Sequence, residues 1–297
     1  MGPVLIAAPS HDAAENLAAE EFLLTHYESG SFLMLWSNDP CVVIGKFQNP
    51  YEEVSLAACR DAGISVIRRN SGGGTVYHDR GNLNYTILTD RGEDFPDYER
   101  FLTPVVEMLR LYGVEAEISD TSAMTVNGRK FSGNAQSNRK NRIMHHGTLL
   151  FDADLDRLNR LTGHARGNIV SRAVKSQPSP VTNLRPLLKS VGCDWDYPVF
   201  AAEIANAFSP SGTHAFTEDE LSGIRRLADL KYRSWEWNYG MSPAFRVEAE
   251  GISLTVERGM IVRAEGDLIP SDPPVGMPLT LEGMERVSPL LADVIFG

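Results

Sequence analysis

The sequence has few cysteines, no long apolar run and no excess of positive charge, and each absence argues against a class of protein. Its 297 residues include three cysteines, Cys41, Cys59 and Cys193, without CxxC spacing. We therefore expect reduced thiols in a cytoplasmic protein rather than a disulfide framework. No apolar run approaches the roughly 20 residues that a transmembrane helix needs, and no secretory signal is apparent. The net charge of −11 argues against a nucleic-acid binder, which usually has a basic face.

Several familiar site motifs are also missing. No GxxxxGK[ST] phosphate loop occurs, Tyr77 stands where a dinucleotide fingerprint needs its third glycine, and no GxSxG motif supports a serine nucleophile. His145 and His146 are consecutive on a predicted strand, so their side chains point to opposite faces and cannot easily share one metal ion. We expect one of them to face a cleft and the other to be structural.

The most informative stretch contains three consecutive glycines, Gly72 to Gly74. Glycine lacks a Cβ atom, so the backbone can turn sharply and bring its N–H groups close to an anion. Arg68 and Arg69 come just before and supply guanidinium groups suited to phosphate or carboxylate. β-branched and aromatic residues at 64–67 and 82–88 predict a strand on each side. The stretch predicts an anion cradle between strands, with a flexible loop or bulge as the alternative for the glycines alone.

A second candidate for the anion site follows from a hairpin. Asn127 and Gly128 lie between β-rich runs and predict a type I′ turn, because that turn needs positive φ at both positions. The turn places Lys130 early on the returning strand, next to the small residues at 132–135. Its ammonium could balance phosphate or carboxylate charge in a cleft opposite the glycines. The alternative is a lysine on a solvated strand face.

The pattern of apolar residues predicts both helices and strands. Asp12 precedes a helical run and predicts an N-cap with Glu15, and residues 97–112 predict an amphipathic helix. Short apolar runs at 32–36 and 41–45 predict two neighbouring strands.

The later part of the chain predicts a long loop and then a second, smaller domain. Residues 163–183 are rich in glycine, asparagine, serine and proline and predict the loop. Trp235 to Pro243 interrupt the pattern and predict a domain junction, after which 252–264 predict a hairpin. We therefore divide the chain into residues 1–240 and a small α+β domain at 244–297.

Taken together, these motifs resemble those of the lipoate–protein ligase family over most of residues 4–245. The most specific motifs are RRxSGGGxVxHDxGN, GxKxSGxAQ and HHGTLL. The blocks that carry the resemblance are Asn16–Glu21, Val42–Pro50, Arg68–Asn82, Gly128–Gln136, His145–Leu150, Val181–Leu184 and Trp235–Gly240.

The resemblance implies an α+β fold, with a large mixed-sheet catalytic domain like that of biotin and lipoate protein ligases followed by a shortened α+β accessory domain. It implies that lipoate and ATP give lipoyl-AMP and pyrophosphate, and that the lipoyl group then passes to a specific lysine. The acceptors would be lipoyl domains of 2-oxoacid dehydrogenase E2 subunits or the glycine-cleavage H protein. We expect Mg²⁺ with ATP, no permanently bound cofactor, no nucleic-acid or membrane partner, and a monomer.

The resemblance also implies site residues, with Lys130 as the catalytic residue and Asp120 as a ligand of Mg²⁺. The implied nucleotide ligands are Arg69, Gly73, Gly74, Thr75, Val76, Tyr77, Asp120 and Lys130. The implied lipoate ligands are Arg69, Ser71, Gly72, His78, Lys130 and His146. The apolar strand at 42–44 is expected to house the acyl tail.

Two departures from the family pattern and three rival functions stay open at this point. The loop at 173–181 is longer than in many relatives, and the piece at 244–297 is shorter than the accessory domain of long-form relatives. The rivals are an octanoyl or lipoyl amidotransferase with a cysteine thioester, a lipoyltransferase that uses preformed adenylate, and a non-catalytic binder of carrier domains.

Overall fold

The computed structural model describes residues 2–92, 95–162, 168–249 and 251–296. The strands in this part of the chain are β1 Val4–Ala7, β2 Phe32–Trp36, β3 Cys41–Ile44, β4 Ser65–Arg68, β5 Val76–His78, β6 Asn82–Asp90, β7 Ala116–Ile118, β8 Met124–Val126, β9 Arg129–Ser132, β10 Asn134–Arg139, β11 Arg142–Leu150, β12 Asn168–Ser171, β13 Gly212–His214, β14 Phe245–Ala249, β15 Ile252–Glu257 and β16 Met260–Gly266. The helices are α1 Ala13–His26, α2 Pro50–Glu53, α3 Leu56–Asp61, α4 Glu99–Leu111, α5 Leu155–Leu161, α6 Leu184–Ser190, α7 Tyr197–Ala207, α8 Glu218–Leu227, α9 Leu281–Val287 and α10 Pro289–Phe296, with π-helical segments at Ala228–Tyr232 and Glu236–Gly240.

The main sheet is mixed and has helices on both faces. Its strand order is β10-β11-β6-β2-β1-β13, with β1 parallel to β2 and to β13 and the other pairs antiparallel. Consecutive strand residues point to opposite faces. Leu33 accordingly packs with Phe101 of α4 and Phe200 of α7, whereas Met34 packs with Leu17 of α1. This arrangement confirms the predicted α+β fold with a large mixed sheet.

The two runs predicted as neighbouring strands are both strands, but they belong to different sheets and are not neighbours in either. The first run is β2, whose two edges are already paired with β1 and β6. The second run, β3, therefore joins a separate sheet of order β4-β3-β5, parallel to β4 and antiparallel to β5. This small sheet carries the glycine-rich bend between β4 and β5.

The turn, the helix cap and the helix that were predicted from local sequence are all present in the structure. Asn127 and Gly128 have φ values of 51° and 71°, as the type I′ turn requires, and they connect β8 to β9 in a third sheet, β7-β8-β9. The side chain of Asp12 accepts a hydrogen bond from the N–H of Glu15 at 3.0 Å, which caps α1. Glu99–Leu111 forms α4 in the segment predicted to be helical.

The loop predicted at 163–183 is interrupted by β12. Residues 163–167 lie outside the described part of the chain, whereas Asn168–Ser171 pair antiparallel with β14. The loop prediction is therefore wrong for these four residues. Their strand character comes from a partner more than 70 residues away, which local composition does not encode.

The C-terminal residues form a sheet of order β12-β14-β15-β16 that packs with α9 and α10. The predicted hairpin is present as β15 and β16. Tyr51 from α2 inserts into this core, with its ring 5.1 Å from that of Phe245 and its hydroxyl donating to the carbonyl of Leu279. One strand of this sheet, β12, therefore comes from the part of the chain before residue 240. The division of the chain at 240–244 remains a prediction. Among the described helices, none has the length and apolar character needed to cross a membrane.

Candidate active site

One cavity of about 520 Å³ is lined by residues of the main sheet and of both small sheets. Its walls include the bend between β4 and β5, the start of β9, the adjoining ends of β10 and β11, and residues 174–179. Leu17, Trp36 and Val43 form an apolar wall. The predicted site residues that line this cavity are Arg69, Gly73, Gly74, Thr75, Val76, His78, Lys130 and His146.

Arg69 is held inside the glycine-rich bend. Its Nη2 donates to the carbonyl oxygens of Gly72 at 2.6 Å and Gly74 at 2.8 Å. The bend fits closely around the guanidinium, because Gly73 has a φ of +89° and a Cβ atom there would lie 2.8 Å from Nη2. Burial lowers the pKa of Arg69 to about 10, and Glu20 opposes this shift. Both oxygens that accept from Nη2 belong to uncharged backbone carbonyls. They do not neutralise the positive charge of Arg69, which can therefore interact with an anionic ligand.

Lys130 contributes the second cation. It is half-buried, and a Cβ atom at Gly133 would lie 3.2 Å from its Nζ. Burial and then the charge of Arg69 lower the pKa of Lys130. Two cations that repel each other in one cavity favour an anion between them. The predicted meeting of the hairpin lysine and the glycine-rich bend in one cleft is therefore confirmed.

Arg68 points elsewhere, so the expectation that both arginines serve the anion is wrong for this residue. Arg68 is fully buried and does not line the cavity. Its Nη1 donates to the carbonyl of Gln48 at 2.6 Å, and its Nη2 to the carbonyl of Asn238 at 2.8 Å. It ties the segment after β3 to the predicted junction.

A buried chain of hydrogen bonds lies behind Arg69. Nε of Arg69 donates to Oγ of Ser71 at 3.0 Å, and Nε2 of His146 lies 2.7 Å from the same oxygen. Nδ1 of His146 lies 2.8 Å from Oε1 of Glu20, which also accepts from the hydroxyl of Thr86 at 2.6 Å. A carboxylate only accepts, so Nδ1 of His146 donates to Glu20. The chain fixes Ser71 and, through it, Arg69.

The two consecutive histidines divide as predicted. His146 lines the cavity, whereas His145 is fully buried and stacks on Phe101 with a centroid distance of 4.8 Å. Burial, with the charge of His146, lowers the pKa of His145 to about 3. His145 is therefore a neutral core residue.

Residues 173–181, called here the covering segment, cross the cavity. Oγ of Ser176 accepts from the N–H of Thr75 at 2.9 Å and from Nε2 of Gln48 at 3.0 Å, and it donates to Glu53. At its other end, the carbonyl of Pro180 accepts from the N–H of Lys130 at 2.7 Å. The segment is thus anchored to the glycine-rich bend and to the lysine strand.

Four implied ligands do not line the cavity. Ser71 and Gly72 lie behind its wall as partners of Arg69. Tyr77 is buried on the other face of β5, in a cluster with Val42, and Asp120 is exposed. The neighbours of Asp120, at 119 and 121, do line the cavity.

The described residues offer neither a metal cluster nor a cysteine at the cavity wall. No group of three or more histidine, cysteine or acidic side chains could hold a metal ion in this part of the chain. Burial raises the pKa of Cys41 to about 12 and that of Cys59 to about 11, so neither is a ready thiolate. Cys193 also lies away from the described cavity lining.

Several polar residues of the site were not predicted from the sequence. Glu20 and Gln48 lie within blocks that carry the family resemblance, so the resemblance held a signal for them. Glu53 and Ser176 had no such signal, because their pairing joins positions 123 residues apart.

Residues 12–209 match the family model described as the lipoyl protein ligase A/B catalytic domain. This chain belongs to the lipoate–protein ligase family. It is 34% identical to lipoate-protein ligase LplJ of Bacillus subtilis, in an alignment that covers 97% of this chain and 91% of that relative.

Solved structures of the same family share the fold. A structure of lipoate-protein ligase A bound with ATP is 27% identical, with a TM-score of 0.68 over 81% of this chain and 100% of that one. A lipoate protein ligase from Thermoplasma acidophilum with bound lipoic acid is 27% identical, with a TM-score of 0.67 over 80% and 100% of the two chains. The bipartite ligase of that organism, described with its E2 lipoyl domain, has a TM-score of 0.68 at 26% identity, over 81% and 97%.

Proposed function

We propose that this chain activates lipoate with ATP to lipoyl-AMP and then transfers the lipoyl group to a lysine of a lipoyl domain. The observation that carries the proposal is the position of Arg69 and Lys130 in one cavity with the glycine-rich bend. Membership of the ligase family and the ATP-bound and lipoate-bound structural relatives support the same reaction.

In the first step, a carboxylate oxygen of lipoate attacks the α-phosphorus of ATP. The new O–P bond gives lipoyl-AMP, and the bond to the β-phosphate breaks to release pyrophosphate. Both reactants are anions that repel each other. Arg69, Lys130 and the N–H groups of Gly73 and Gly74 offset this repulsion in the transition state, since fixed donors act strongly in a site shielded from water.

In the second step, the acceptor lysine attacks the acyl carbon and AMP leaves. The amide bond forms as the C–O bond to the phosphate breaks, and the amine loses a proton. We assign to Lys130 the stabilisation of the negative charge that develops on the acyl oxygen. Opening of the covering segment gives the acceptor lysine access to the adenylate, because this segment crosses the cavity.

The remaining assignments extend this reaction. We assign Tyr77 to the nucleotide through its backbone and Ser71 and Gly72 to the lipoyl end through Arg69. His78 and His146 belong to the lipoyl end as well, since both line the cavity. The acceptors are E2 lipoyl domains, in line with the bipartite relative, and the glycine-cleavage H protein.

We expect Mg²⁺ to enter this site bound to the phosphates of ATP. It usually binds through one or two carboxylates together with substrate phosphates, and the described residues include no cluster of three or more metal-binding side chains. Asp120 is the carboxylate that we assign to it. When bound, the ion neutralises negative charge on the phosphates.

The larger organisation remains a prediction from the sequence. We propose a catalytic domain at residues 1–240, an accessory domain at 244–297, a monomeric state and a cytoplasmic location. Tyr51 supports cooperation of the two parts, because it packs in the C-terminal core while lying two residues from Glu53.

The test is a mass-spectrometric assay with purified chain, lipoate, Mg²⁺ and an apo E2 lipoyl domain. We expect the domain to gain one lipoyl group only when ATP is present, together with release of pyrophosphate. Transfer from preformed lipoyl-AMP without any reaction of lipoate and ATP would indicate a transferase. Lipoate binding with neither reaction would indicate a non-catalytic binder, and both outcomes would contradict the proposal.

A further inference from the structure

Two buried polar side chains lie beside the apolar wall of the cavity, and each has one nitrogen atom without a hydrogen-bond partner among the described residues. His78 is 3% exposed and Asn84 is 1% exposed, and both line the cavity beside Trp36. The ring of His78 lies 5.8 Å from that of Trp36, edge to face, and Asn84 is the cross-strand partner of Trp36. Within the described part of the chain, Nε2 of His78 and Nδ2 of Asn84 have no hydrogen-bond partner.

The free nitrogen of His78 is a donor. Oδ1 of Asn38 accepts from Nδ2 of Asn16 at 2.9 Å, which fixes the Asn38 amide so that its Nδ2 donates to Nδ1 of His78 at 3.0 Å. Burial and the charges of Arg69 and His146 lower the pKa of His78 to about 3. The ring is therefore neutral, and its single proton is on Nε2.

Of the two polar atoms of the Asn84 amide, one has a hydrogen-bond partner in the described chain and the other does not. Its Oδ1 accepts from Nδ2 of Asn82 at 2.9 Å, and Nδ2 of Asn84 and Oδ1 of Asn82 have no partner among the residues that the structure describes. A buried donor without a partner is costly, and native structures rarely keep one unless a ligand or water uses it. Two such donors next to Leu17, Trp36 and Val43 indicate a ligand that is mainly apolar but carries an acceptor.

We propose that His78 and Asn84 select an acyl chain that carries a hydrogen-bond acceptor near its far end, and so favour lipoate over octanoate. This inference rests on the proposed function, because it assumes that the carboxylate lies at Arg69 and Lys130 and that the tail lies along the apolar wall. The sulfur atoms of the dithiolane ring are weak acceptors, as is thioether sulfur. Octanoate has only methylene and methyl groups there, and it leaves both donors unsatisfied.

The first experiment uses the unchanged chain and compares three acids by kcat/KM for pyrophosphate release from ATP. The acids are lipoate, octanoate and 7-oxooctanoate, whose ketone is an acceptor without the ring. We expect lipoate to exceed octanoate by about tenfold, since a site built for hydrogen bonds rejects an analogue that lacks the partner. We expect 7-oxooctanoate to equal or exceed octanoate. A purely apolar wall would instead disfavour the ketone, and that result would overturn the proposal.

The second experiment compares His78→Phe and Asn84→Leu with His145→Phe as the matched control. Each variant removes a polar group at similar size, but the control residue lies on the opposite face of its strand in the core. We expect the lipoate-to-octanoate ratio of kcat/KM to fall towards one in His78→Phe and, by less, in Asn84→Leu. The control should keep the ratio of the unchanged chain.

The outcomes separate this inference from the proposed function. Absence of pyrophosphate release with all three acids would contradict the proposed function itself. Release with equal kcat/KM for lipoate and octanoate, or an unchanged ratio in a folded His78→Phe variant, would overturn only the selection by His78 and Asn84. If that variant does not fold, the series of three acids on the unchanged chain decides the question.

Discussion

Arg68 and Arg69 are consecutive and similarly buried, yet they serve two different regions of the molecule. Burial lowers the pKa of each to about 10. Arg69 lies in the cavity, where an anion can reach it. Arg68 points the other way, and among the described residues its side chain donates only to neutral oxygens of two segments far apart in sequence. Its acceptors are the carbonyls of Gly45, Lys46, Gln48, Trp237 and Asn238 and the hydroxyl of Ser242.

The difference shows that residue type and burial alone do not identify a ligand-binding arginine. Consecutive residues of extended chain point to opposite sides, so a pair of arginines before the bend supplies one cation to each side. The Arg68 region joins the turn after β3 to the segment that leads into the C-terminal sheet. The Arg69 region carries the chemistry. Each prediction below separates these two roles.

The largest expected effect is on stability, in Arg68→Met. This change leaves several buried carbonyl oxygens without their donor, and we expect the free energy of unfolding to fall by about 4 kcal/mol. Adenylation per folded molecule should change much less. Urea unfolding followed by tryptophan fluorescence measures the first quantity, and active-site-normalised pyrophosphate release measures the second. If the variant kept full stability but lost activity, Arg68 would act in the reaction itself, and the proposed difference between Arg68 and Arg69 would be wrong.

Arg69→Gln should show the reverse pattern. Loss of the guanidinium removes charge stabilisation from the adenylation step, and we expect kcat to fall by about 100-fold or more. The unfolding free energy should fall by less than in Arg68→Met, since glutamine retains donors for part of the bend. Pyrophosphate release and urea unfolding again give the two values. A stability loss equal to that of Arg68→Met, with activity kept, would contradict this assignment.

A smaller effect is expected at the covering segment. Ser176→Ala removes the hydroxyl that joins Thr75, Gln48 and Glu53. We expect KM for ATP to rise by about tenfold, because the loss of one shared hydrogen-bonding group loosens the segment over the bend. Ser179→Ala, on the same segment but with no described role in this network, is the control. An unchanged KM in Ser176→Ala would show that the anchor does not affect nucleotide binding.

The smallest effect is expected for the thiols, since neither arginine region uses one. Cys41→Ala, Cys59→Ala and Cys193→Ala should each keep ATP-dependent lipoylation, even where loss of a buried sulfur lowers stability. The measurement is the rate of mass gain by the lipoyl domain at saturating substrate. Complete loss at one position in a folded variant would revive the amidotransferase with a cysteine thioester.

The parts of the fold and site that rest on local rules could be predicted from the sequence. The turn at Asn127 and Gly128, the cap at Asp12 and the opposite faces of His145 and His146 each follow from residues close together in the chain. Arg69 and Lys130 also followed from local sequence, at the glycine-rich stretch and at the hairpin, and the resemblance then supplied their roles.

The parts that depend on distant partners could not be predicted in this way. Whether β3 pairs with β2 depends on which strand edges are free, and the strand character of Asn168–Ser171 depends on β14. The role of Arg68 depends on Asn238, 170 residues away. No local pattern distinguishes it from Arg69.

The most direct test of the account is lipoate-dependent pyrophosphate release by Lys130→Ala, with urea unfolding measured on the same sample. If Lys130 and the glycine-rich bend neutralise the reacting anions together, release falls by about 100-fold or more while the unfolding transition stays close to that of the unchanged chain. Pyrophosphate release at the normal rate by this variant would contradict the central claim.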